Sequence, residues 1–218
     1  MGFTSYASTV SFRIFIAAML AMAGFTVRAD IQPGKEYELL SPPQAVETGK
    51  KIEVLEIFSY ACPHCFNLEP DLNNWVGQLP KDVEFRRLPA IFHESWMPLA
   101  KAFYTFEALG MTDKLHGEFF KAIHVQHLRV DDEVTLFDWV EKRGINRKSF
   151  ADTYYSFAIQ SKAMRAKQLS KDYGINGVPA VIVDGKYRTY VSLGGGHAGM
   201  LNVVDQLIKR ARQERARK

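Results

Sequence analysis

The chain's only two cysteines stand in the tetrapeptide Cys62-Pro63-His64-Cys65, where the apolar run Ile52–Phe58 (IEVLEIF) gives way to a helical pattern. No other feature restricts the fold as strongly. The run is rich in β-branched and large apolar residues, reads as a buried strand and is bounded by Ser59 and Tyr60. Proline is favoured at the first position of a helix and holds its predecessor extended, so Pro63 opens the helix, Cys62 caps it and Cys65 falls at the third position. The two sulfurs should therefore differ. That of Cys62 faces unpaired N–H groups at the positive end of the helix dipole, and that of Cys65 is sheltered one turn in. Thiol–disulfide exchange needs such an asymmetry: an exposed, easily ionised sulfur reacts first and a second thiol resolves the mixed disulfide.

The dipole alone does not suffice. Lowering a thiol pKa by ~3 requires ~4 kcal/mol of preference for the thiolate, and a helix terminus supplies ~0.3–2 kcal/mol. Direct N–H···S bonds and the imidazole of His64 are the available supplements, so His64 is expected to tune the site. A fall from ~8.5 to ~5.5 would stabilise the reduced protein at pH 7 by ~2 kcal/mol, or ~45 mV, making the disulfide a stronger oxidant. Other uses of the cysteine pair compete. A structural staple over so short a loop removes little chain entropy, and a chain of 218 residues can build a core without one. Zinc would need two further ligands, yet His93, His116, His124, His127 and His197 are scattered, with only His124 and His127 at helical spacing. Covalent haem attachment calls for His after the second cysteine, and Phe66 stands there. Two isolated buried thiols remain, against which Pro63 and His64 argue. Neither metal nor organic cofactor is expected.

Arg13 precedes an uncharged, mostly apolar stretch over residues 14–27, and Val27-Arg28-Ala29 offers a cleavage site after Ala29, although Arg28 beside the cut is atypical. Residues 1–29 thus read as a secretory signal peptide. The alternative is a membrane anchor, for which the stretch is short of the ~20 residues that span a bilayer. The mature chain is expected to be soluble in an oxidising, extracytoplasmic space. Its charge is modest: without Arg13 and Arg28 the excess of +4 falls to +2. The basic tail KRARQERARK could meet nucleic acid or an anionic surface, but cations also suit a helix C-terminus and no patch elsewhere supports a nucleic-acid partner.

Residues 30–49 are turn-rich and should wrap the surface. The helix after Cys62 should run to about Leu79, before Pro80, and residues 83–88 (VEFRRL) read as a second strand, completing a βαβ unit with Cys62 at the carboxyl end of the sheet. Helical periodicity then takes over, with candidate helices at 97–109, 112–124, 132–142, 148–155 and 161–173. The aromatic residues of this block (Trp96, Phe103, Tyr104, Phe106, Phe119, Phe120, Phe137, Trp139, Tyr154, Tyr155 and Phe157) read as its core. Strands resume at 180–183 and 187–191 through Asp184-Gly185, a type I′ hairpin signal, and Gly194-Gly195-Gly196 leads into a final helix. The fold class is α/β: a mixed sheet flanked by helices, with an all-helical insertion. The divisions are residues 30–94 and 173–218 for the sheet domain and 95–172 for the insertion.

VLEIFSYACPHCFNLEP, followed far downstream by GINGVPAVIVDGKY, resembles the DsbA family of periplasmic thiol:disulfide interchange proteins, of the thioredoxin superfamily. The likeness spans nearly the whole mature chain. It implies a thioredoxin-like sheet, with Cys62 as nucleophile, Cys65 as resolving thiol and His64 as stabiliser of the Cys62 thiolate. It also implies that Pro179, after Val178, is a cis-proline beside the disulfide; from sequence alone an edge-strand start is the plain reading. Val178 could then pair with an extended client backbone. By the same resemblance Glu56, which alternation places on the face of the first strand shared with Val54 and Phe58, would assist proton transfer at Cys65. If both sheet faces are covered its pKa should rise by desolvation, and the alternative is an exposed or ion-paired side chain. The implied activity is a periplasmic dithiol oxidase that donates the Cys62–Cys65 disulfide to reduced, unfolded exported polypeptides. It would act as a monomer and be reoxidised by a DsbB-type membrane quinone reductase. A disulfide isomerase or reductase of the same superfamily, and a peptide-binding chaperone, are the alternatives.

Overall fold

The computed structural model describes residues 30–129 and 132–217, and the signal peptide expected over residues 1–29 lies outside them. In chain order the elements are β1 (Glu38–Leu39), β2 (Ile52–Phe58), α1 (Pro63–Val76), β3 (Val83–Pro89), α2 (Met97–Ala108), α3 (Thr112–His124), α4 (Glu133–Glu141), α5 (Arg147–Tyr154), α6 (Phe157–Asp172), β4 (Ala180–Val183), β5 (Tyr187–Tyr190), α7 (Val191–Gly194) and α8 (His197–Arg215). The strands form one sheet in the order β1-β5-β4-β2-β3. Only β2 and β3 run parallel, joined by the crossover helix α1; the other neighbours are antiparallel. This is an α/β, thioredoxin-like mixed sheet flanked by helices, with α2–α6 inserted between β3 and β4.

Every residue of β2 is buried because both faces of this central strand are covered. Val54 packs with Val181 and Val183 against α1 and α8 through Leu68, Leu72, Val204 and Leu207. Leu55, Ile57 and Phe58 belong to the second core, shared with the helical insertion. There the ring of Phe58 meets Tyr60 and Phe103 edge-on at 5.1 and 5.2 Å, and Tyr60 meets Phe119 at 4.7 Å. Most aromatic residues expected in that core are in it. Tyr155 and Phe157 are not: they are 52% and 87% exposed, because they flank the break between α5 and α6 and the apolar face of α6 begins only at Ile159.

Local chemistry sets the boundaries. Helix α1 stops at Val76, three residues before the expected end, where Gly77 closes the last turn ahead of Pro80. Helix α6 begins four residues earlier than its periodicity suggests because the Ser156 hydroxyl accepts from the Ile159 N–H. The two-residue strand β1, inside the turn-rich lead-in segment, was not legible in the sequence; it pairs with β5. The Asp184-Gly185 hairpin forms as expected, with φ of 54° and 65° and the Lys186 N–H donating to the Val183 carbonyl at 3.0 Å.

The glycine run before α8 permits a close backbone approach. A Cβ on Gly194 would stand 2.3 Å from the Met200 nitrogen. The basic tail is bound to its own fold. Arg212 makes two bonds to Asp82 at 2.7 and 3.1 Å, and Arg215 pairs with the buried Asp184 while donating to the Lys50 carbonyl at 2.8 Å.

Candidate functional site

Cys62 occupies the N-cap of α1 in extended conformation (φ −93°, ψ 115°), with Pro63 in the first turn. The residue is only 9% exposed, more covered than the exposed position expected for it, and as a thiol it donates to the Val178 carbonyl at 3.4 Å. Val178–Pro179 is a cis peptide bond and directly precedes strand β4. Cys65 is fully buried. Both are free thiols. The Cys62 thiol is pulled down from an ordinary 9.0 to about 6. The largest cause is the hydrogen bond from the Cys65 thiol; burial opposes it, and the Cys65 and His64 N–H groups assist. The His64 charge contributes least among these causes, so the main supplement to the helix terminus is the second cysteine. The reason is burial and screening: Cys65 lies inside the core, whereas His64 is exposed to water. Cys65 itself is pushed far up, first by burial, then by its bond to Cys62 and by the charges of Cys62 and Glu56.

Glu56 is buried, as expected if both sheet faces are covered, and its carboxyl accepts a hydrogen bond from a neighbouring cation. It lies in register with Arg87 on β3, whose Nε donates to Glu56 Oε2 at 2.9 Å. Oε1 is buried without a hydrogen-bond partner. Burial outweighs the attraction of Arg87, and the nearby Glu69 charge adds to it, lifting the Glu56 carboxyl from 4.5 to about 8. Glu56 is therefore a neutral acid at pH 7.

Residues to which the sequence reading gave no role in the site surround Glu56 and the dithiol. Arg87 also reaches Glu69 on α1 at 3.3 Å and Asn73 at 3.0 Å. His116, from α3 of the insertion, stands between Glu69 Oε1 at 3.2 Å and the Tyr60 hydroxyl at 2.7 Å. His124 Nε2 donates to the Tyr60 carbonyl at 2.8 Å. Signals for some existed in the sequence: Glu69 lies one helical turn after Cys65, and paired arginines inside VEFRRL demand buried carboxylates. Nothing local pointed to His116.

Beside the dithiol, Glu38, His64, Val178, Pro179, Tyr190 and Leu193 line a groove of about 580 Å³, and His197 closes one side with Nδ1 3.0 Å from Asp71. A second cavity of about 250 Å³, between the sheet and α6, is lined by charges that pair with one another, Arg86 with Glu47 and Glu53 and Arg165 with Glu47; no residue of the dithiol lines it. Among the described residues no group of three or more His, Cys, Asp or Glu side chains could hold a metal ion, and no helix is long and apolar enough to cross a membrane.

A Cys-x-x-Cys at a helix N-terminus, facing a cis-proline loop across the carboxyl end of a thioredoxin-like sheet, defines a thiol–disulfide oxidoreductase. Comparison with known proteins is specific about which kind. The description of a DSBA-like thioredoxin domain matches residues 86–202. The thiol:disulfide interchange protein DsbA of Pseudomonas aeruginosa is 39% identical over 203 residues, covering 91% of this chain and 96% of its own length. That of Bordetella parapertussis is 38% identical over 208 residues, covering 94% and 99%. The crystal structure of Pseudomonas aeruginosa DsbA matches with a TM-score of 0.82 at 39% identity, over 86% of this chain and 97% of that one. The chain belongs to the DsbA family.

Proposed function

We propose that this oxidoreductase works as a dithiol oxidase in the periplasm, donating a Cys62–Cys65 disulfide to reduced, exported polypeptides. A client thiolate attacks the Cys62 sulfur; the Cys62–Cys65 bond breaks, and Cys65 leaves with the bonding pair and takes up a proton. A second client thiolate then attacks the client sulfur of the mixed disulfide, and Cys62 departs as a thiolate. The client loses two electrons and two protons and gains its disulfide. The protein keeps both electrons and one proton, and the other proton goes to solvent. Cys65 is a poor leaving group as a buried anion, so Glu56, neutral at pH 7, serves as its proton donor and is refilled from water. Val178 offers backbone to an extended client, while Pro179, with no N–H, keeps that edge open and makes client choice tolerant of sequence. His64 adds a positive bias near the Cys62 thiolate. A DsbB-type membrane quinone reductase would restore the disulfide, with the protein acting as a monomer.

The observation that carries this reading is the seat of Cys62 at the N-cap of α1, where the Cys65 thiol and the helix N–H groups draw its own thiol down. It favours the reduced protein and so makes the disulfide oxidising. The rival is an isomerase or reductase working from the dithiol. Equilibration with glutathione buffers separates them: a potential well above that of thioredoxin, about −270 mV, together with conversion of a reduced, unfolded client to its disulfide form, is expected. A potential near thioredoxin's would overturn the oxidase assignment.

A further inference from the structure

Glu56, Arg87, Glu69, His116 and Tyr60 form one continuous chain, buried except at the half-buried Arg87, running from β2 over β3 and α1 into α3 of the helical insertion. The hydrogen bonds fix who carries which proton. A carboxylate only accepts, so the contact of Glu69 with His116 places the proton on Nε2, and Nδ1 is left to accept from the Tyr60 hydroxyl. Burial holds His116 neutral despite Glu69, and burial holds the Tyr60 hydroxyl protonated. Glu69 collects bonds from His116, Asn73 and Arg87, whereas Glu56 receives only Arg87 and has one oxygen unpartnered. The single cation is thus shared by two carboxyls, and the one with more donors holds the negative charge. Burial alone would raise Glu69, but these partners outweigh it and keep it below its usual range.

We infer that His116 is a positioning residue for the dithiol chemistry: by donating to Glu69 while anchored by Tyr60, it places the negative charge beside Arg87 on Glu69 and keeps Glu56 protonated for Cys65. The helical insertion thereby adjusts the proton donor of the sheet domain without touching the reacting sulfurs. The titratable groups acting on Glu56 are Arg87 and Glu69, and Glu56 in turn acts on Tyr60 and Cys65. The inference rests on Glu56 supplying the proton to Cys65.

The test is the pH dependence of disulfide transfer from the oxidised full chain to a reduced peptide, with rates divided by the peptide's thiolate concentration. In His116→Leu, Glu69 loses a donor and holds its charge less well, so Arg87 turns to Glu56 and the inflection moves to lower pH by about one unit, the shift that one charge-assisted hydrogen bond produces. His116→Gln, with an amide donor for Glu69 and an oxygen for Tyr60, restores the parent inflection. Glu69→Gln, which keeps the shape but removes the charge, moves it in the same direction as His116→Leu and carries the test should that variant not fold. Glu56→Gln separates the two ideas. If it leaves the inflection in place, the proton role of Glu56 is wrong; if it abolishes the inflection while His116→Leu and Glu69→Gln leave it unmoved, only the inference about His116 falls.

Discussion

Removing the Cys65 thiol should do more to Cys62 than removing the His64 imidazole. Bringing the Cys62 thiol from 9.0 to about 6 takes about 4 kcal/mol of preference for the thiolate. The helix terminus supplies ~0.3–2 kcal/mol of this, which leaves about 2 kcal/mol or more, the size of a hydrogen bond to a charged group, ~1.5–3 kcal/mol. Cys65 is the group to provide it, since it is fully buried and Cys62 is nearly so. In Cys65→Ala the Cys62 thiol should therefore rise to between about 7 and 8. Cys65→Ser, which keeps a donor, should stay near the parent value, and His64→Ala should move least and lose its effect in high salt. Ultraviolet thiolate absorbance of the reduced protein against pH measures all three. A larger rise in His64→Ala than in Cys65→Ala would refute the reasoning. At pH 7 only ionisation below ambient pH counts, so a value of about 6 stabilises the reduced protein by about 1.4 kcal/mol, or ~30 mV. That is less than the ~45 mV expected from the motif alone.

Because the Glu56 carboxyl is raised to about 8 in the folded chain, its contribution to stability is fully present below pH ~4.5 and lost as pH rises through 8, with a cost of about 3 kcal/mol already at pH 7. Glu56→Gln should gain that amount on the parent between pH 4.5 and 7 in urea unfolding, and parallel curves would contradict the burial argument. Phe58→Ala empties the contact between sheet and insertion and should cost about 3–5 kcal/mol, read from the denaturant midpoint. Arg215→Ala strips the main partner from the buried Asp184 and should cost about 2 kcal/mol. Arg212→Ala, at an exposed pair with Asp82, should cost under about 1 kcal/mol; equal losses would mean that burial of Asp184 does not matter.

Much of the site was written in local sequence. The strand ending at Phe58, the proline at the head of α1 and the two-cysteine spacing are short-range facts, because capping, proline sterics and side-chain periodicity act over one helical turn or a few strand residues. They settled the order of the main strands and the longer helices, the Asp184-Gly185 hairpin and the inequality of the two sulfurs, though not the short strand β1 or helix α7. Glu56 was visible as a carboxyl inside an apolar strand. Its state was not: protonation depends on how much water is excluded and on which cations lie within a few ångströms, and both are properties of packed neighbours remote in sequence. Arg87 reaches Glu56 across 31 positions and His116 reaches Tyr60 across 56. The basic tail makes the same point in reverse, since its arginines read as a charged surface until Asp82 and Asp184 are brought against them. Short-range sterics decided the shape of the reactive turn, and long-range burial decided which of its groups hold charge.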